Sequence, residues 1–407
     1  MENNQSNLTL NKESFFRSKL FCYLAPFTVL AAYLIYIIAA SKVELSRGYY
    51  ELQYLFTYDH GFNSKGFIGE VISWFVPTLT PDIIMLVTNI GSVLLLVAAT
   101  LCFGSALDKT RDDPDAFQVA AIFVAILCIA PFTFRAHFTE MKVDKFFWAF
   151  ALFAVYFSQL KVGIWLAPIL CFVATLVNPV FLLGAMLLVS IILLQKCRES
   201  GASKKNVIIC AIAYIGMIAL GFYSVTSSKR LGFADEYELL DFYFSRYSEP
   251  LMPSKIEALV SEQLIEYFGK RDFGFFKSMF ENLVINGNRG ATLLNNGILF
   301  SVPLLSLLTA FWVKVIKAED NKFGKFVFFL CPATMVTFFS TVLVGWGSRF
   351  FFYSYVVQAG LILYFVATKN KSVMTVVDRI RDYCKSHTVV AACIGIYFAI
   401  FMDGMFI

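Results

Sequence analysis

The sequence predicts an all-α polytopic membrane protein with about eleven transmembrane helices and two long external loops. Three observations carry that expectation. Of the 407 residues, 58% are hydrophobic and only 15% are charged, whereas soluble domains hold about 25% charge. The apolar residues fall into runs of roughly 15–23, near the length that crosses a hydrocarbon core. The basic residues gather in the short segments between alternate runs, the asymmetry that orients helices in a bilayer. The net charge of +5 therefore marks topology, and no nucleic-acid partner is expected.

Taken in order, the spans are read at 20–40, 82–104, 117–134, 144–159, 163–177, 179–195, 207–225, 292–313, 326–344, 352–368 and 388–404. A polar start, Met1 to Lys19, precedes the first run. That run lacks a small-residue cleavage site and is expected to stay as a span. The fifth and sixth runs meet at Asn178-Pro179. Two short helices or one long kinked helix both fit there, because proline removes a backbone donor. With the N-terminus cytoplasmic, nineteen of the 34 basic residues lie inside. Four more are in short external loops, and the rest are in two long segments that obey the rule poorly. The C-terminus is then external. Residues 1–19 form a cytoplasmic segment, and 20–407 a single membrane domain that includes external loops 41–81 and 226–291.

Those two loops are too long to be mere connectors. The second is rich in Tyr and Phe, which argues against disorder, and Ile256 to Phe268 reads as a surface helix. Seven cysteines (Cys22, Cys102, Cys128, Cys171, Cys210, Cys331 and Cys393) fall inside apolar runs, while Cys197 and Cys384 fall in inner segments. None has metal-ligand spacing, and all nine read as reduced packing residues.

Three constellations carry candidate chemistry. The first loop holds Asp59 amid Tyr49, Tyr50, Tyr54, Phe56, Tyr58 and Phe62, with Gly61, Gly66 and Gly69 for sharp turns. A carboxylate in such partial burial has the tunable proton affinity that a general base needs; the plainer alternative is a helix-capping turn. Glu70 to Phe75 reads as a short interfacial helix. Between the third and fourth spans, Arg135, His137, Glu140, Lys142, Asp144 and Lys145 crowd into eleven positions. Glu140 and Asp144 would share a helix face, and the cations suit a phosphate or diphosphate. Between the ninth and tenth spans, Trp346 and Arg349 lie beside Gly345 and Gly347. The planar guanidinium fits phosphate oxygens; the alternative is an interfacial anchor. The chain has no nucleotide-binding loop and no HExxH motif.

Many spans, an outer-face carboxylate in the first long loop and a second acidic site in the next resemble the GT-C superfamily of membrane glycosyltransferases. The string Asp59-His60-Gly61-Phe62-Asn63-Ser64-Lys65-Gly66-Phe67-Ile68-Gly69 is similar to a D-x-G-F-x-x-[RK]-G-h-h-G pattern of bacterial polysaccharide-related membrane proteins. Size and layout also resemble the phage-type, serotype-converting O-antigen glucosyltransferases. The resemblance implies transfer of a hexose such as glucose from a polyprenyl-phosphate donor onto a surface polysaccharide or lipid-linked acceptor. The transfer would occur at the outer face of a bacterial inner membrane. It implies Asp59 as base and Glu140 or Asp144 as the second acidic position. Arg349, with Arg135 or a loop lysine, would stabilise the departing lipid phosphate. His60, Lys65, His137, Lys142, Lys145 and Trp346 complete the expected substrate contacts. No cofactor is required; a divalent cation shared by Asp59 and the acidic pair is the alternative use of those carboxylates.

Two other readings stay open. An O-antigen or exopolysaccharide polymerase would depend on external arginines, and 226–291 supplies Arg230, Arg246, Arg271 and Arg289. A lipid-linked-oligosaccharide flippase or transporter would place charge at the midplane and show inverted repeats. Here the spans are nearly free of charge, and no repeat is visible.

Overall fold

The computed structural model describes residues 17–39, 53–59, 66–129, 138, 143–160, 163–178, 182, 184–199, 204–227, 236–248, 298–335 and 349–404. Fourteen helices account for nearly all of them, and no strand occurs among the described residues. They are α1 (Lys19–Ala39), α2 (Gly66–Ser73), α3 (Pro81–Thr110), α4 (Pro114–Ile129), α5 (Asp144–Ser158), α6 (Gly163–Val177) and α7 (Ala185–Glu199). There follow α8 (Lys204–Ser227), α9 (Glu236–Arg246), α10 (Ile298–Ala318), α11 (Lys322–Ala333), α12 (Arg349–Ala367), α13 (Lys371–Ser386) and α14 (Thr388–Gly404). Two of these, α1 and α3, are long and apolar enough to cross a membrane. Pro114–Ile129, Leu166–Val177, Ala211–Gly221 and Tyr353–Ala367 are shorter apolar stretches.

The helix boundaries follow local chemistry. At the start of α3, the Thr80 hydroxyl accepts from the Ile83 N–H at 3.2 Å. Pro81 stands next, where its missing N–H costs nothing. Asn321 and Asn370 cap α11 and α13 in the same way. The break at Asn178 is resolved in favour of two helices, because α6 ends at Val177 and α7 begins at Ala185. A residue before proline is pushed out of helical geometry, and Asn178 is that residue. The expected spans 117–134 and 326–344 overrun α4 and α11, the latter ending in a turn at Thr334 and Met335; residues 130–134, 336–344 and Ile256–Phe268 lie outside the described residues.

Polarity is distributed inside out along α3. Thr88, Gly91, Ser92 and Leu95 are buried, while Leu86, Ile90, Val93 and Val97 are exposed. On α11, Phe323, Phe326 and Phe329 are likewise exposed. Apolar side chains outward and polar ones inward is the arrangement that a hydrocarbon solvent favours.

The first bundle runs α1 against α3, α3 against α5 and α5 against α6. Small residues let these helices approach closely: Ala98, Ala99 and Ala106 on α3, and Ala149, Ala151 and Ala154 on α5, are all buried. A Cβ on Gly104 would collide with the Tyr23 ring of α1. In the second bundle, buried Gln358 of α12 accepts from Trp312 Nε1 of α10 at 2.6 Å. Its amide donates to Thr334 Oγ1 and the Cys331 carbonyl beside it, at 2.7 and 2.8 Å. At one end of the molecule, Glu319 accepts from Arg198 of α7 (3.0 Å), the Asn321 N–H (3.1 Å) and Ser372 of α13 (3.0 Å). Lys109, ending α3, donates to Gln159 at the end of α5. Helix α13 buries Val373, Val376 and Val377, and its Arg381 pairs with Asp115 of α4 at 2.6 Å.

Candidate functional site

At the other end of α3, two segments remote in sequence are joined through the backbone. The Leu79 N–H donates to the Arg246 carbonyl at 2.7 Å, and the Ser248 N–H donates to the Leu79 carbonyl at 2.9 Å. The bridge pins α9 beside residues 53–59, where the Phe56 ring packs edge-on against Tyr243 at 5.6 Å.

Helix α2 braces the same loop. Glu70 accepts from the Tyr58 N–H at 2.9 Å and from Trp74 Nε1 at 3.1 Å. Gly69 packs directly on the loop backbone: a Cβ there would collide with the Phe56 carbonyl oxygen and lie 2.6 Å from that of Tyr54. The short helix expected over Glu70 to Phe75 runs instead from Gly66 to Ser73. Trp74 and Phe75, just past its end, are exposed.

This scaffold holds Asp59 outward. Its side chain is 63% exposed, its Oδ2 accepts from the Thr57 hydroxyl at 2.8 Å, and Arg246 Nη1 lies 3.8 Å from the same oxygen. Arg246 is only 7% exposed and lies over the Phe242 ring at 5.5 Å. Burial lowers its pKa, opposed by the negative charges of Asp59 and Glu70. A guanidinium stays charged through such a shift.

Beneath the loop a polar chain leads inward. The buried Thr88 hydroxyl donates to Tyr54 at 3.2 Å, Ser92 donates to the Thr88 carbonyl at 3.1 Å, and Lys145 Nζ donates to Ser92 at 3.1 Å. Gln53 meets the Val143 N–H at 3.5 Å. Beside Lys145, Asp144 is fully buried in the first turn of α5, where a helix favours negative charge. Asn178 Nδ2 donates to one of its oxygens and Tyr353 Oη to the other, both at 2.9 Å. Three helices therefore converge on one carboxylate: α5, the end of α6, and α12.

Of the residues expected from sequence, Asp59 is exposed beside a cation. Asp144 and Lys145, expected in a surface loop, are instead enclosed among helices and engaged by protein partners. Arg349 opens α12 one turn before Tyr353, which links the third constellation to the second through helical register. His60, Lys65, Arg135, His137, Glu140, Lys142 and Trp346 lie outside the described residues. No group of three or more His, Cys, Asp or Glu side chains fit to hold a metal occurs among the described residues. Sequence reasoning attached Arg246 only to the polymerase reading and gave Tyr353 no role. The helix break accounts for Asn178 in the sequence, and a place facing the same cavity is the weaker option there; the side chain binds Asp144.

No protein-family model, no curated protein and no solved structure matches the chain.

Proposed function

We propose that the chain is a GT-C-type membrane glycosyltransferase that moves a hexose from a polyprenyl-phosphate donor to a polysaccharide or lipid-linked acceptor. It works at the outer face of a bacterial inner membrane. Helices α1, α3–α8, α10–α12 and α14 are its eleven spans, with the N-terminus cytoplasmic and the C-terminus external. Support for the orientation comes from α3, which places Pro81 about 45 Å from Thr110 at 1.5 Å per residue. The basic Lys109 and the Arg198–Glu319 cluster lie at the far end from Asp59, as a positive inner face requires.

One observation carries the reading: an exposed carboxylate is held beside a buried arginine at the end of a bundle that exposes large apolar side chains and buries a short polar chain. In the transfer, Asp59 takes the proton of the acceptor hydroxyl. That oxygen bonds to the anomeric carbon, and the bond from this carbon to the phosphate oxygen breaks. Its electron pair leaves on the polyprenyl phosphate. A cation stabilises that charge, the effect that commonly supplies much of an enzyme's rate.

The test is surface-polysaccharide composition in cells expressing wild type, Asp59→Asn or Arg349→Ala at matched membrane levels. Wild type is expected to add a side-branch sugar. Loss of the base lowers transfer by roughly 10²–10⁴, so Asp59→Asn should show none. The buried Arg246 favours a second reading, the polymerase. That reading takes over if Asp59→Asn matches wild type while Arg246→Gln alters chain length.

A further inference from the structure

We propose that the Nε–Nη2 edge of Arg246 is the phosphoryl-anion subsite of the external site, and that Asp59, 3.8 Å from Nη1, competes with the phosphate for the same guanidinium charge. The proposal rests on the reading of residues 53–59 and α9 as the active site, and adds a step to it.

The geometry of the pair carries the inference. At 3.8 Å the contact between Arg246 Nη1 and Asp59 Oδ2 is electrostatic and too long for a hydrogen bond. Asp59 already accepts a proper hydrogen bond from Thr57 on that same oxygen. Meanwhile Nε and Nη2 of Arg246 are buried with no hydrogen-bond partner among the described residues. Native proteins seldom leave buried donors empty, and where they do a ligand, ion or water is the usual explanation. Nε and an Nη form one edge of the guanidinium fork, the edge that grips two phosphate oxygens at once.

Its position is also fixed in advance. The Arg246 carbonyl is locked to Leu79, and the side chain lies over Phe242. Asp59, by contrast, is on the exposed side of the pair, with Thr57 as its hydrogen-bond anchor. A phosphate doubly hydrogen-bonded on the Nε–Nη2 edge takes up the guanidinium charge that otherwise attracts Asp59 at Nη1. Donor binding and release of the base from its counter-charge thus become one event.

The experiment uses the full chain in dodecyl maltoside micelles and calorimetric titration with two probes, farnesyl phosphate and inorganic phosphate. Removing the internal anion frees the subsite, so Asp59→Asn should bind farnesyl phosphate several-fold tighter than wild type. Arg246→Gln should bind it about tenfold or more weakly, the loss expected for charge-assisted hydrogen bonds. Arg246→Lys, which keeps the charge without the fork, should fall between. Inorganic phosphate following the same order assigns the effect to the headgroup; binding by farnesyl phosphate alone assigns the lipid tail a share. Should Arg246→Gln not fold, the tightening in Asp59→Asn remains decisive.

Asp59→Asn binding no tighter than wild type overturns the proposal, as does wild type binding neither probe. If the affinity order holds while cells gain no sugar, the subsite stands and the glycosyltransferase reading falls. If Asp59→Asn abolishes transfer without tightening binding, that reading stands and the competition falls.

Discussion

Gly69 has no room for a side chain, because the carbonyl oxygens of Phe56 and Tyr54 occupy the place a Cβ would take. Backbone atoms cannot rotate away, so Gly69→Ala must push α2 from the loop that carries Asp59. We expect a loss of at least about 2 kcal/mol, in the range of forced overpacking. Proteolysis in micelles should show cleavage near residues 53–59 before the bundle opens. Tyr353→Phe is the converse, since it keeps the ring against Trp148 and Phe147 and deletes one donor to Asp144. Leaving a buried acceptor one donor short costs about 1–3 kcal/mol, and denaturant titration should register that loss. How far such residues could be read in advance varies for physical reasons. Asp59 stood out because it is a carboxylate beside turn glycines after an apolar run. Arg246 was one of four arginines in a long loop with no periodic pattern to select it. Tyr353 gave no signal, because an apolar run hides which tyrosine faces a partner.

Among elements, the most exposed to pH is the turn that joins α10 to α11. Burial alone would raise the Glu319 carboxyl, but hydrogen bonds from Asn321, Arg198 and Ser372 and the Arg198 charge outweigh it. The net pKa falls below its ordinary value of 4.5. A carboxyl whose folded pKa is depressed contributes stability above the unfolded pKa and loses it as pH drops through the folded value. Thermal unfolding in micelles should therefore be steady above about pH 5 and fall off below about pH 4. Glu319→Gln should flatten that dependence while lowering stability at neutral pH. Helix identity along the chain was largely legible, since long apolar runs leave helix as the one way to satisfy the backbone in lipid. The positions of α9 and α13 were not. Helix α9 is short and mixed in polarity, and α13 reads in sequence as a basic inner segment, although valines at 373, 376 and 377 give it a buried face.

At the scale of the molecule, the proposed orientation places Ser248 outside and Ser386 inside. Both are exposed. In a background with the native cysteines replaced, Ser248→Cys should react with a membrane-impermeant maleimide on intact spheroplasts. Ser386→Cys should react only after lysis. The reverse pattern would invert the topology and remove Asp59 from the outer face. The positive-inside asymmetry is what carries this proposed orientation in the sequence. The joining of Leu79 to residues 246–248 was not readable, because contacts across some 165 positions leave no local trace.

That backbone bridge also sets a clock. A ribosome delivers Leu79 long before it delivers Arg246, and in the proposed topology α3 through α8 enter the bilayer in between. A nascent chain halted after α8 therefore carries Asp59 with no arginine to face it. The site is completed in biogenesis only when α9 returns to dock on the first loop. Co-expressed fragments split between α8 and α9 must accordingly find each other through Leu79, or remain two inert halves.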